Sequence, residues 1–309
     1  MHSEELVRKN SIHQDHLDRS LIDLLHSDAR LGYGELSKRL GTSRITVQRR
    51  LSRLIMDKVL NFVVFIDPRR AGAPQGMLFC MELSHRELER TIGKLGRHPN
   101  VIRISRTFGL YNAVVLATFR NMEEISVFIR QDLDSISGLM KLDSMMLLQT
   151  PVKKGEETST IDTLDSSIIR LLQTDCRQRN AALAQALKLS PSTIQRRLNR
   201  LVNTQTVRFT AVVNESRVDW QHRAAVAIKV YRPQITKVMD RLQKYSEVDF
   251  SSYTTGTYNI VISLVCPTQE RIYQIVEEEF TRIHGIKECN IMIVLETFYN
   301  PAWSGGRLS

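Results

Sequence analysis

Arg44, Thr46, Gln48, Arg49 and Arg53 follow Ser43 in the run S-R-I-T-V-Q-R-R-L-S-R-L. Val47, Leu51 and Leu54 stand at i, i+4 and i+7, the spacing of one buried helix face, which turns the other residues outward. Guanidinium groups grip phosphates, and Gln and Thr side chains hydrogen-bond to base edges in a major groove. Ser43 is of the type that caps a helix N-terminus. Lys38, Arg39, Arg44, Arg49, Arg50 and Arg53 bring positive charge to the stretch without an intervening acid. The pattern recurs at Ser190, with Pro191 at the first helical position and Ser192, Thr193, Gln195, Arg196 and Arg200 outward. A basic helix alone is only a solvated surface. Here turn, cap, buried spacing and outer face coincide, and they do so twice, which points to double-stranded DNA.

A second constellation is Gly109-Leu110-Tyr111-Asn112, repeated as Gly256-Thr257-Tyr258-Asn259. Glycine permits a positive φ between two strands. The Tyr hydroxyl and Asn amide that follow are groups able to bind a small polar molecule, or merely to pack a turn. Catalytic machinery is not evident: the chain has no P-loop, GxSxG, HExxH or carboxylate pair in a glycine-rich setting. Asp67, Asp143 and Glu296 read as turn or edge residues. Cys80, Cys176, Cys266 and Cys289 are scattered, with no CxxC. They suit core packing in a reducing compartment rather than a metal site. His13 and His16 do not make a ligand set. No metal or cofactor is expected.

These groups are positioned by a duplication. Shifted by 147 residues, Leu17–Thr150 lies on Leu164–Thr297 without a gap, with roughly half of the positions identical over the first 38. Solenoid repeats have periods of about 20–50 residues, so this unit is domain-sized. Helical periodicity over 17–60 gives a three-helix domain with a tight Gly41-Thr42-Ser43 turn, a helix-turn-helix. Residues 61–150 then alternate as strand, break, strand, helix, strand, strand, helix, strand. After the first strand this is β-α-β-β-α-β, the ferredoxin-like order. Residues 151–163 read as a linker, 164–207 as a second helix-turn-helix domain and 208–298 as a second ferredoxin-like module. The fold class expected is α+β in tandem. Residues 1–16 and the last ten read as loose ends.

The pattern LDxxxxxLLxxDxRxxxxxLxxxLxxSxxTxQRRLxRL, followed by a strand and a ferredoxin-like module containing G-x-Y-N, resembles the Lrp/AsnC ("feast/famine") transcriptional regulators. The resemblance spans nearly the whole of each unit. It implies a DNA-reading domain joined to a module that dimerises and senses a small molecule, often an amino acid. It places Ser43–Arg53 and Ser190–Arg200 on the recognition helix. It places Gly109, Tyr111, Asn112, Gly256, Tyr258 and Asn259 on the turn associated with the effector. Two departures stand out. Lys58 and Gln205 replace the usual glycine after the recognition helix. Asn112 and Asn259 replace the usual Asp, removing a carboxylate partner for an ammonium group.

The siroheme decarboxylases share this architecture and a Tyr-Asn pair, but carry a His before it and a Trp after it. Here Leu110 and Thr257 precede, while Ala113-Val114 and Ile260-Val261 follow, so the expectation is a regulator and not an enzyme. A third reading is an interaction module whose less basic second helix no longer reads DNA.

Met77, Phe79, Met81 and Leu83 point to one face of a strand and Leu78 and Cys80 to the other. Both faces therefore need covering. Sheet-on-sheet association follows, either within the chain as a pseudo-dimer or between chains as a homo-oligomer. The net charge of +10 suits a polyanionic partner. The polar N-terminus and short apolar runs suggest a cytoplasmic protein with no membrane partner.

Overall fold

The computed structural model describes residues 14–148 and 161–300. His13, Trp303 and most of the expected leader, linker and tail lie outside the described residues. The chain divides into two compact units. One holds the residues up to Ala73 with those to Val218 of the second repeat; the other begins at Pro74 and at Asp219 in the two repeats.

The first unit contains both helical domains. In repeat one these are α1 (His16–Ser27), α2 (Tyr33–Leu40), α3 (Arg44–Met56) and β1 (Leu60–Ile66). Asp15 caps α1 and Ser43 caps α3, each accepting a backbone N–H three residues on. Leu21, Ile22, Leu25, Leu36, Val47, Leu51 and Leu54 form the core. Repeat two gives α6 (Thr163–Thr174), α7 (Asn180–Leu187), α8 (Pro191–Asn203) and β6 (Val207–Val213). The departures at Lys58 and Gln205 are real backbone features, since each takes φ of +55°. Gly41 has φ of +61°, and Lys188, one repeat on, has +54°.

β1 pairs antiparallel with β6, from Leu60 opposite Val213 to Ile66 opposite Val207. A residue and its repeat equivalent thus exchange places across the ribbon, as in an isologous dimer interface. The arginines follow the same rule. Arg30 donates to the carbonyls of Cys176 (2.6 Å) and Gln178 (3.1 Å). Arg177 donates to those of Ala29 and Leu31 (2.9 Å). Burial pulls the Arg30 guanidinium below its ordinary value, and the carbonyls offset that loss of water.

The second unit holds both ferredoxin-like modules. Module one is β2 (Gln75–Leu83), α4 (His85–Leu95), β3 (Val101–Gly109), β4 (Ala113–Phe119), α5 (Met122–Phe128) and β5 (Leu139–Leu148). Module two is β7 (His222–Val230), α9 (Ile235–Leu242), β8 (Val248–Thr254), β9 (Ile260–Cys266), α10 (Gln269–Tyr273) and β10 (Ile286–Tyr299). The second helix of each module is short, Met122–Phe128 in one and Gln269–Tyr273 in the other. A wider π turn over Ile129–Leu133, and another over Gln274–Glu279, continues it. That wider turn aligns residues five apart and keeps both Phe128 and Leu133 buried.

The eight strands close into one barrel in the order β10-β3-β4-β2-β5-β8-β9-β7. β10 is long because it serves two neighbours. Ile286–Val294 pairs with β7 and Met292–Tyr299 with β3. Met77, Phe79, Met81 and Leu83 face the helices of module one. Leu78 and Cys80 face inward with Tyr111, Ala227, Tyr258, Val261 and Met292. The bare face of one sheet is therefore covered by the other sheet of the same chain. Closure also removes the free sheet edges.

Candidate nucleic-acid interface

The outer faces of α3 and α8 are the candidate DNA contacts. Arg44, Gln48 and Arg49 are exposed, as are Gln195 and Arg196. Among the described residues, Arg44, Lys38 and Arg49 have no ion pair, and neither has Arg196. These are the cations free to meet phosphate.

The other predicted contacts divide. Ser43 Oγ accepts the Thr46 N–H (3.0 Å) and lies 2.9 Å from its hydroxyl. Ser190 likewise binds the Thr193 N–H (3.1 Å) and sits 2.9 Å from the hydroxyls of Ser192 and Thr193. These hydroxyls set the start of each reading helix. Arg53 and Arg200 stay exposed and are also anchored. Both are held from inside the domain, Arg53 by Asp18 and Arg200 by Asp165, each a fully buried carboxylate. The same carboxylates take Arg50 and Arg197 at 3.0 Å. Of the six basic residues between Lys38 and Arg53, Arg39 also pairs with Glu35 at 2.7 Å. Half of these six are thus paired within the protein, and two of them, Arg50 and Arg53, tie the reading helix to α1 and its cap.

Carboxylates around the clamp respond. The Asp18 N–H and the Arg50 guanidinium hold Asp15 below its ordinary value. At Asp162, burial acts upward but is outweighed by Arg197 and the Asp165 N–H, so the net direction is also down. The Asp–Arg clamp was not singled out from sequence, although Asp18, Arg50 and Arg53 recur as Asp165, Arg197 and Arg200. Arg30 and Arg177 carried the same signal, as the shared D-x-R.

The Gly-x-Tyr-Asn turns look inward. Asn112 accepts the Leu83 N–H (2.9 Å) and donates to the Leu83 carbonyl (2.7 Å). Asn259 does the same with Val230, at 2.8 Å for both bonds. These amides are latches on the neighbouring strand. Tyr111 is buried and its hydroxyl donates to Asp143, which is therefore no ordinary edge residue. Tyr258 is buried too, with Asn290 Nδ2 at 2.6 Å and Glu288 at 3.4 Å from its hydroxyl. Burial first, and Glu288 second, push the Tyr258 phenol up to about 12. Gly109, at φ +140°, lies so close to Ile291 O that an added Cβ would meet it at 2.4 Å. Gly256, at φ +101°, is not crowded in that way. Neither glycine position offers a side chain to a ligand.

The AsnC-type helix-turn-helix domain matches residues 15–55 and 161–202. The Lrp/AsnC ligand binding domain matches 78–157 and 223–303. The chain belongs to the Lrp/AsnC family. It carries two helix-turn-helix domains and two ligand-binding domains in tandem, so the expected fold class holds. An uncharacterised HTH-type transcriptional regulator of Pyrococcus horikoshii is 27% identical over 135 residues, 43% of this chain and 85% of that protein. The HTH-type transcriptional regulator FL11 of Pyrococcus abyssi is 30% identical over 139 residues, 45% of this chain and 91% of that protein. Such relatives match one repeat in length. Over the whole chain, the crystal structure of the siroheme decarboxylase NirDL is similar in fold. Its TM-score is 0.58 at 13% identity, covering 92% of this chain and 93% of that one. Among the described residues, no helix is long and apolar enough to cross a membrane.

Proposed function

We propose that this chain is a sequence-specific DNA-binding transcriptional regulator, with both helix-turn-helix domains reading one non-palindromic site. The observation that carries it is the self-complementary pairing of the two helical domains, with Arg44 and Arg49 unpaired on the outer face of one reading helix and Arg196 on that of the other. A regulator built from separate subunits must dimerise to set half-sites about 34 Å apart; here one polypeptide supplies both heads. A small-molecule effector, an amino acid or related metabolite, acts through the sheet unit. Contact through the Asn112 and Asn259 amides is not part of this reading.

The test is a titration of a fluorescent duplex from upstream of the protein's own gene, against a scrambled duplex, across a salt series. Specific binding is expected to exceed scrambled binding by about 4–10 kcal/mol, with a log–log salt slope that counts neutralised phosphates. Arg44→Glu with Arg49→Glu should weaken binding at least tenfold, and so should Arg196→Glu if the second head reads. Equal affinity for Arg196→Glu would leave the second helix-turn-helix domain as an interaction module. The likeness in fold to a siroheme decarboxylase supports an alternative enzymatic reading. Against it, Leu110 and Thr257 occupy the positions before each Tyr-Asn pair. A Soret band appearing when a tetrapyrrole is added, with no DNA binding at low salt, would favour the enzyme.

A further inference from the structure

The two reading heads differ in one chain of hydrogen bonds. Arg30, from repeat one, also donates to Asn180 Oδ1 at 2.8 Å. Asn180 Nδ2 donates to Gln195 Oε1 at 2.5 Å. Gln195 Nε2 then donates to Asn199 Oδ1 at 2.7 Å. The relay therefore runs from the first helical domain, across the pseudo-twofold interface, to the outer face of α8. On the other side Tyr33 stands where Asn180 would be. Arg177 meets its ring at 5.6 Å instead of an amide. Gln48, the equivalent of Gln195, is exposed and has no hydrogen-bond partner among the described residues.

We infer that Asn180, itself anchored by Arg30, is a positioning residue that fixes the Gln195 amide for base recognition by the second head only. This rests on the reading that α8 enters DNA. An amide oxygen has two lone pairs and an amide nitrogen two protons. After the relay each still has one to offer, side by side. That acceptor–donor pair matches the N6–H and N7 of adenine. A held amide has already lost its rotamer freedom before DNA arrives, whereas Gln48 must lose it on binding. The second head thus offsets its fewer basic residues with a sharper base preference, and the first head grips phosphate with less discrimination at the corresponding base pair.

The experiment selects binding sites from a random duplex pool with the full chain, then with Asn180→Tyr, Asn180→Ala and Gln195→Ala. Tyrosine is the residue the fold already accommodates at the equivalent place in repeat one, and alanine is a second variant should the first not fold. Wild type should prefer adenine at one base pair of one half-site. Gln195→Ala should abolish that preference. Both Asn180 variants should reduce it by about fivefold or more, within the range one bidentate contact supplies. The other half-site should be unchanged, which a general loss of fold would not produce. Asn180 variants that keep the preference while Gln195→Ala loses it overturn the positioning role. A Gln195→Ala protein with wild-type preference overturns the assignment of the reader. If wild type enriches no sequence at all, the DNA reading itself fails, a result distinct from both.

Discussion

The duplication contains a reciprocal test of backbone strain. Gly41 and Lys188 are equivalent residues at the C-terminal ends of α2 and α7, and both are left-handed, at φ +61° and +54°. The surrounding hydrogen bonds match. Thr42 N–H reaches Ser37 O at 3.1 Å, and Leu189 N–H reaches Ala184 O at 2.9 Å. An added Cβ on Gly41 meets nothing within 4 Å, so only backbone conformation is at stake. A residue with a Cβ loses about 1–2 kcal/mol in this region. Glycine's extra freedom in the unfolded chain returns roughly 0.5–1 kcal/mol of that. Lys188→Gly should therefore stabilise the helical unit by about 0.5–1 kcal/mol, and Gly41→Lys should destabilise it by a similar amount. In a unit of about 150 residues, 1 kcal/mol moves the midpoint by roughly 2–4 °C. Calorimetry of the full chain, with urea titration as a check, reads both. The double swap should sit near wild type, since distant sites add. Two single swaps that shift stability in the same direction would refute the reasoning.

Three further outcomes are expected. Asp18→Asn and Asp165→Asn should each cost about 2–3 kcal/mol in urea denaturation, below the ~3–5 kcal/mol of a fully buried pair, because the arginines can turn to water. Asp15 and Asp162 titrate lower in the folded chain than in the unfolded one. Their contribution is thus complete above the ordinary carboxylate value of 3.8 and is lost as pH falls below it; melting curves of Asp15→Asn with Asp162→Asn should show a shallower decline between pH 4 and pH 2, as an order-of-magnitude window. Asn259→Ala should cost about 1–3 kcal/mol by removing both amide bonds to buried Val230, and thermal melting should show Asn112→Ala to be milder, since the Asn112 bonds are only part-buried where those of Asn259 are buried.

Much of the fold was legible because the duplication checks every local reading twice. Ser43 and Ser190 cap as expected, and Val47, Leu51 and Leu54 are buried as their spacing requires. The apolar second face of β2 announced a covering sheet, but not which chain supplied it. That answer lies in the register of β5 with β8 and of β10 with β3, contacts set by tertiary closure rather than local pattern. The site was less legible. Arg53 looks like any outward arginine until Asp18, 35 residues earlier, is brought beneath it. Asn112 and Asn259 have the chemistry of ligand contacts, and only the third dimension shows each amide bonded at both ends to the neighbouring strand. Asn180 carried no signal, since its partners come from both repeats.

The ribbon of β1 with β6 has a consequence for dilution. Two separate subunits joined by such a ribbon would part as their concentration fell below the dissociation constant. Tethered partners instead experience an effective concentration on the order of millimolar, set by chain length and stiffness. The paired heads therefore persist however few molecules a cell contains. For the proposed regulator, occupancy of a DNA site would fall in simple proportion to copy number, where a dissociating pair would fall off with its square.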